Sequence, residues 1–512
     1  MSDEIFLYNR VRNKNACYNI WFAFPERYSF SLASLGYLWI FKEIDEIDDI
    51  FIERICTDTE NTRLKAQDVD AVCFSFSFDM DFINIFGILE KYGYPLKAED
   101  RESYPLIFAG GPVLTSNPEP YKEFFDFMII GDGEGINKKV VQICKENKTK
   151  PKREVLKMLA QIKGVYVPSI HNLRNRVTKG LSELSECIYT PILSNDSFFK
   201  NTFIIEISRG CYNCCGFCLA SYLNLPVRFV DYNTIIEKID FGLQYTNKIA
   251  LLGALVSAHP KFHDICAYIQ KKIQSGQKIE LSISSLRVDT ITPDIAKTLY
   301  DCGQKNITIA IEAASERLRK IINKNITESQ LFSAIKAVQE NGISGVKIYA
   351  MLGLPKELRE DIDEFIRLAK DLKKEFKRFN ITFSFSTFVP KPHTPFQWCA
   401  REDTKTLEHK IEYLKKELFK AGIRPKFSSV KQDYYQTLLS RGDNSITDYL
   451  IEVYKSGGKF GAYRAAAKKF NIDTDKYVLK AIDIEKELPW NVIEMNPGEQ
   501  LLKNEYIRLM SK

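Results

Sequence analysis

At 512 residues the chain is too long for one ordinary domain, and two to four are expected. A composition that is 45% hydrophobic and 12% aromatic can bury large cores, which excludes a disordered chain, while a net charge of +6 is small for this length and argues against a dedicated nucleic-acid binder. No apolar stretch is long enough to cross a bilayer, and no N-terminal segment has the order of a signal peptide.

Residues 1–150 alternate apolar runs with helical patterns, the βαβ rhythm that builds a parallel sheet in an α/β protein. Ile50–Ile52, Ala71–Ser75, Leu106–Ala109 and Phe127–Ile130 read as buried strands. Two glycine loops, Gly110-Gly111-Pro112 and Gly131-Asp132-Gly133, follow the last two of these, where open parallel sheets bind ligands. Tight turns also use glycine, so each loop alone is weak evidence. Lys145–Lys157 is lysine-rich, and 151–198 reads as a linker. Over 199–402 the alternation resumes, with candidate strands at 203–207, 248–252, 280–284, 306–311, 346–351 and 382–386. Residues 403–512 turn helical and charged with no further strand pattern, as expected of a mostly helical C-terminal domain.

The first of the central strands runs into Cys211-Tyr212-Asn213-Cys214-Cys215-Gly216-Phe217-Cys218. Read with three residues and then two between cysteines, Cys211, Cys215 and Cys218 share one tight loop. Iron–sulfur clusters are held by cysteine thiolates, and three ligands on a [4Fe–4S] cluster leave one iron open. The same residues also form two CxxC pairs, so structural zinc is the competing reading, although adjacent pairs would strain a tetrahedral site. The other eight cysteines have no framework spacing, which points to a reducing, cytoplasmic setting.

The cysteine spacing resembles that of the radical S-adenosylmethionine superfamily. The resemblance implies a partial (β/α)6 barrel of the TIM type over 199–402, with the trio binding a [4Fe–4S] cluster whose open iron chelates S-adenosylmethionine. It implies generation of a 5′-deoxyadenosyl radical and an electron donor such as flavodoxin or ferredoxin. Cys214 is extra to the pattern. At the strand ends, Gly253 stands where the family has a glycine-rich turn, and Ser285-Leu286-Arg287 offers a guanidinium for the methionyl carboxylate. Glu312 resembles the family residue that approaches the ribose, and Gly353 lies in a turn like that near the adenine. His393, one of five histidines, sits in Phe388–Trp398 at the sixth strand's exit and is a catalytic candidate.

The two glycine loops, with Asn117-Pro118-Glu119-Pro120 between them, resemble the cobalamin-binding-like domain of one branch of the superfamily, which implies a Rossmann-like parallel sheet over residues 1–150. That makes Gly110, Gly111, Gly131 and Gly133 candidate cofactor contacts. No histidine precedes His171, so any cobalamin would bind without a histidine on cobalt. Ser440-Arg441-Gly442-Asp443, Leu488-Pro489-Trp490-Asn491 and the Phe388–Trp398 segment are similar to a poorly characterised group of iron–sulfur oxidoreductases in that branch. The implied activity is radical chemistry, with methyl transfer if cobalamin is bound. Two alternatives stand beside it: sulfur insertion with a second cluster using Cys17, Cys56 and Cys73, and a non-catalytic cobalamin or redox sensor. The substrate is not legible, nucleic acid is disfavoured, and no membrane is expected.

Overall fold

A computed structural model describes residues 3–10, 16–184, 186–283 and 285–512. Ser284, at the end of the third central strand, lies outside the described residues. The fold is α/β and divides into two compact units.

The first unit comprises residues up to Asn201 together with 438–477 and 485–496. Its sheet contains β1 (Tyr18–Phe24), β2 (Ile50–Cys56), β3 (Ala71–Ser75), β4 (Leu106–Gly110), β5 (Phe127–Ile129) and β6 (Val165–Tyr166), ordered β2-β1-β3-β4-β5-β6. The first five are parallel and β6 is antiparallel to β5. Strand order reverses between β1 and β3, so a crevice opens there at the carboxyl ends. Helices α1 (Leu35–Asp45), α2 (Phe82–Lys91), α3 (Pro112–Ser116), α4 (Ile136–Glu146) and α5 (Lys152–Leu159) complete the βα units. One core joins Tyr37 and Phe41 of α1, Val140 and Val141 of α4, and Val155 and Leu159 of α5 to Ile20, Ile52, Phe108 and Phe127 of the sheet.

Residues 151–198 are therefore not a free linker. Lys157 of α5 faces solvent, Lys152 pairs with Asp126 at 2.7 Å, Val155 and Leu159 are buried, and β6 extends the sheet. Nor do residues 403–512 form one separate helical domain. Helices Thr447–Lys455 and Phe460–Lys469 belong to the first unit, where Tyr454 and Tyr463 lie 5.7 and 6.4 Å from Phe86 and Phe82. Two short strands also occur in this stretch, Lys426–Phe427 and Ile493–Glu494.

The second unit comprises 202–437, 478–484 and 497–512. It contains β7 (Phe203–Glu206), β8 (Lys248–Leu252), β9 (Glu280–Ile283), β10 (Asn306–Glu312), β11 (Gly345–Leu352), β12 (Asn380–Thr387) and β13 (Lys426–Phe427). All pairings are parallel, in two sheets ordered β7-β8-β9 and β10-β11-β12-β13, and among the described residues one bridge, Leu286 to Ile309, joins them. The six predicted strands form, a seventh joins them, and the barrel is not closed. Helices α6 (Leu219–Leu223), α7 (Tyr232–Gly242), α8 (Phe262–Gln274), α9 (Pro293–Asp301), α10 (Glu316–Ile321), α11 (Glu328–Glu340) and α12 (Arg359–Glu375) lie between the strands. Local signals fix their starts: Asp231 caps α7, and Thr327 with Gln330 forms a capping box on α11.

The strands β7 to β12 bury residues in alternation. Ile205, Leu251, Leu281, Ile309, Ile348 and Phe383 are buried, and Phe365 of α12 packs its ring 6.2 Å from that of Phe383. The residues between them, including Glu206, Leu252, Ala310, Tyr349 and Ser384, keep accessible surface. Period-two alternation places these on the opposite, inner face.

Candidate functional site

The cysteine loop leaves β7 and is held on several sides within its unit. Gly216 donates its amide to the Ile322 carbonyl and accepts from the Phe396 amide, both at 3.0 Å. Asn323 donates its side-chain amide to the carbonyls of Asn213 and Cys214 at 3.0 and 3.1 Å, and Tyr222 donates its hydroxyl to the Cys214 carbonyl at 3.0 Å. A Cβ at Gly216 would lie 2.8 Å from the Phe396 ring and 2.9 Å from Leu509, so the loop seats directly on helix Glu499–Met510.

Cys211, Cys215 and Cys218 line one cavity of about 180 Å³, together with Ser285, Arg287, Glu312 and Lys324. Cys214 does not line it. That residue has φ +44° and points its Sγ to the Cys211 carbonyl at 3.8 Å. Asn213 donates to Cys211 Sγ at 3.4 Å, and Cys215 Sγ donates to the Asn323 carbonyl at 3.7 Å. Burial pushes the Cys215 thiol up to about 12, against the opposing pull of the Lys324 ammonium. Among the described residues, no three His, Cys, Asp or Glu side chains are drawn in to the spacing of a single-ion site. A cluster does not require that, because each thiolate binds its own iron. Three soft thiolates around one cavity, with the fourth turned away, fit a cluster better than tetrahedral zinc.

Glu312 owes its position to a local irregularity. The β10–β11 ladder slips register between Ala310 and Glu312, and Glu312 adopts φ +62°. Such a bulge re-aims a side chain at the cost of backbone strain. The carboxylate meets the Lys324 ammonium at 3.4 Å, with both side chains largely buried. Arg287 also reaches the cavity, but its Nε pairs with Asp289 at 2.7 Å and its Nη2 donates to the Asn325 carbonyl at 3.0 Å.

The remaining candidates of this unit lie apart from the cavity wall. Gly253 packs against Ser208, and its neighbours Ala254 and Leu255 line the cavity instead. Gly353 has φ +73° and donates its amide to Glu357, whose carboxylate also meets Lys410 at 2.7 Å. That is a braced turn. His393, with φ +57°, is buried in the turn after β12 and donates its amide to Gln397 at 2.8 Å. Lys324 and Asn323 were not anticipated from the sequence, because they follow a short helix rather than a strand.

In the first unit Gly110, Gly111, Gly131 and Gly133 come together around a second cavity of about 180 Å³, with Ser34, Tyr37, Cys73, Ser75 and Asn137. It lies at the carboxyl ends of β1, β3, β4 and β5, beside the strand-order reversal. Two of the glycines are obligatory: at φ +127° a Cβ on Gly111 would lie 2.4 Å from the Phe76 carbonyl, and at φ +103° one on Gly131 would lie 2.2 Å from the Gly180 carbonyl. The lining includes no histidine. Of the cysteines named for a second cluster, Cys56 and Cys73 are buried on strands separated by β1, and Cys17 is exposed.

The profile of the Radical SAM superfamily matches residues 205–369, and that of Radical SAM proteins, N-terminal, matches 39–168. An uncharacterized protein of Methanocaldococcus jannaschii is 31% identical, over 75% of this chain and 81% of that one. An uncharacterized methyltransferase of Pyrococcus horikoshii is 26% identical over 59% of this chain and 67% of its own. The fold is similar to that of the radical S-adenosylmethionine methyltransferase TsrM from Kitasatospora setae, solved with cobalamin and a [4Fe–4S] cluster bound. That likeness has a TM-score of 0.55 at 11% identity and covers 88% of this chain and 98% of that one. Among the described residues no helix is long and apolar enough to cross a membrane. With the cysteine cavity, the matched regions and these relatives in view, the chain belongs to the radical S-adenosylmethionine superfamily and is an enzyme of that class.

Proposed function

We propose that this enzyme is a cobalamin-dependent radical S-adenosylmethionine methyltransferase. The observation that carries the reading is the cavity that gathers Cys211, Cys215 and Cys218 with Arg287, Glu312 and Lys324. Cys211, Cys215 and Cys218 would hold the [4Fe–4S] cluster. When bound, the cluster and S-adenosylmethionine supply one-electron cleavage of the sulfonium to a hydrogen-abstracting carbon radical, and cobalamin supplies the methyl group. The rest falls to the chain. Asn323 and Tyr222 fix the loop so that three thiols face the cavity and one does not. Lys324, whose contact with Glu312 is a long 3.4 Å, retains donors for the methionyl carboxylate. Glu312 can accept from ribose hydroxyls. The glycine-lined crevice of the first unit, at about 180 Å³, suits one edge or the nucleotide tail of cobalamin, because its backbone can approach without Cβ atoms. The methyltransferase names of the Pyrococcus and Kitasatospora relatives support the methyl-transfer reading. An electron donor of the flavodoxin or ferredoxin type completes the system.

The test is anaerobic reconstitution with iron, sulfide and hydroxocobalamin, followed by quantification of all three and of S-adenosylmethionine cleavage. One cluster with stoichiometric corrin supports the proposal. Two clusters without corrin would point to sulfur insertion, and binding without cleavage would point to a sensor.

A further inference from the structure

The inner face of the β10–β13 sheet carries polar groups that the cofactor cavity does not use. Registers across the strands define its rows. Ala310, which lines the cavity, stands beside Tyr349, then Ser384, then Lys426; one level toward the strand starts, Thr308 stands beside Lys347 and then Thr382. The face is open to solvent: Tyr349 is 39% exposed, Ser386 and Lys426 are exposed, and Lys347, Thr382 and Ser384 keep partial accessibility. A filled barrel would stack large apolar side chains here. This chain places small and hydroxylic ones instead.

Two ammonium groups stand on this face. The Lys347 ammonium donates to the Tyr349 hydroxyl at 3.1 Å and sits 4.6 Å from the ring centroid. Among the described residues neither Lys347 nor Lys426 has a carboxylate partner, whereas the lysine of the adjoining cavity, Lys324, does. Strand spacing puts their Cα atoms roughly 12 Å apart, two strands across and two residues along, which two lysine side chains can span toward one anion. Between them lie the hydroxyls of Tyr349, Thr382 and Ser384, all able to donate to the same oxygen atoms.

We infer that this face binds a small anionic molecule, a carboxylate or phosphate ester, with Lys347 and Lys426 on the charge and Tyr349 against the body of the ligand. Calling that molecule the substrate rests on the function proposed above; the anion site itself does not. The sequence offered no warning, because alternation on a strand does not say which face a fold will leave open.

The probes are phenyl phosphate and benzoate, with benzyl alcohol as the neutral control, titrated calorimetrically into the full-length reconstituted protein carrying S-adenosylmethionine. Wild type should bind both anions and prefer them to the alcohol. Lys347→Met and Lys426→Met should each weaken phenyl phosphate roughly tenfold, and Tyr349→Phe by less. Equal binding of anion and alcohol, or wild-type affinity in both lysine variants, would overturn the inference. Tighter capture of a single-stranded RNA oligonucleotide through the same lysines would overturn the small-molecule assignment. Iron content and S-adenosylmethionine affinity are read on the same samples. Their loss in wild type with phenyl phosphate binding intact would refute the cofactor reading and leave the anion site standing.

Discussion

Replacing Lys324 with methionine should weaken S-adenosylmethionine binding more than replacing Arg287 with lysine. Both residues reach the cysteine cavity, but their existing commitments differ. Arg287 is already bonded to Asp289 at 2.7 Å and to the Asn325 carbonyl at 3.0 Å, and a lysine there could keep much of that anchorage. Lys324 has one long contact, 3.4 Å to Glu312, and sits close enough to Cys215 to pull its thiol pKa down. A hydrogen bond involving a charged group contributes about 1.5–3 kcal/mol, and about 1.4 kcal/mol is a factor of ten. Lys324→Met should therefore raise the S-adenosylmethionine Kd roughly ten- to a hundredfold, and Arg287→Lys less than about threefold. Equilibrium dialysis on anaerobically reconstituted protein, with iron measured on the same samples, gives both numbers. A larger loss for Arg287→Lys at full iron content would refute the reasoning and return the carboxylate contact to Arg287.

Cys214→Ala should keep the cluster, because Cys214 does not line the cavity and its sulfur turns to the Cys211 carbonyl, whereas alanine at Cys211, Cys215 or Cys218 should abolish the iron chromophore. Gly131→Ala should cost about 1–3 kcal/mol, or more if the Gly180 carbonyl cannot retreat, and should abolish corrin retention without lowering iron content. Burial pushes Glu43 up to about 7, and a raised folded pKa means its stabilisation is present below the ordinary carboxylate range and lost as pH rises toward 7. Glu43→Gln should thus melt like wild type near pH 4.5 and be more stable at pH 8, by about 1 kcal/mol after allowance for partial exposure. Leu509→Ala removes the side chain on which Gly216 rests and should cost about 2–5 kcal/mol, shortening the cluster's lifetime in air before it changes bulk secondary structure.

What was legible in the sequence was chemistry encoded by spacing. Three cysteines at fixed intervals on one loop could be read as a common ligand set from their spacing alone, and all three line one cavity. Glycines whose Cβ would strike a carbonyl could also be read, because a turn leaves few substitutes. Strand β1 (Tyr18–Phe24) is not among the strands read from the sequence: like β3 and β4 it is almost wholly buried, and a run without alternation carries no period that separates strand from helix. The lysines of α5 hid an amphipathic helix, and the tail's division between two units is invisible locally, since each helix shows only that it has an apolar face. Lys324 and the inner-face lysines depend on which loop or face the fold brings to a cavity, and no local pattern records that.

The most direct measurement of the central claim is the electron paramagnetic resonance spectrum of the dithionite-reduced, iron-loaded protein before and after S-adenosylmethionine is added. If Cys211, Cys215 and Cys218 hold a cluster with one open iron beside Arg287, Glu312 and Lys324, the cofactor will change the g-values in wild type and in Cys214→Ala. A spectrum indifferent to S-adenosylmethionine at saturating concentration, or a wild-type spectrum in Cys218→Ala, would contradict the account.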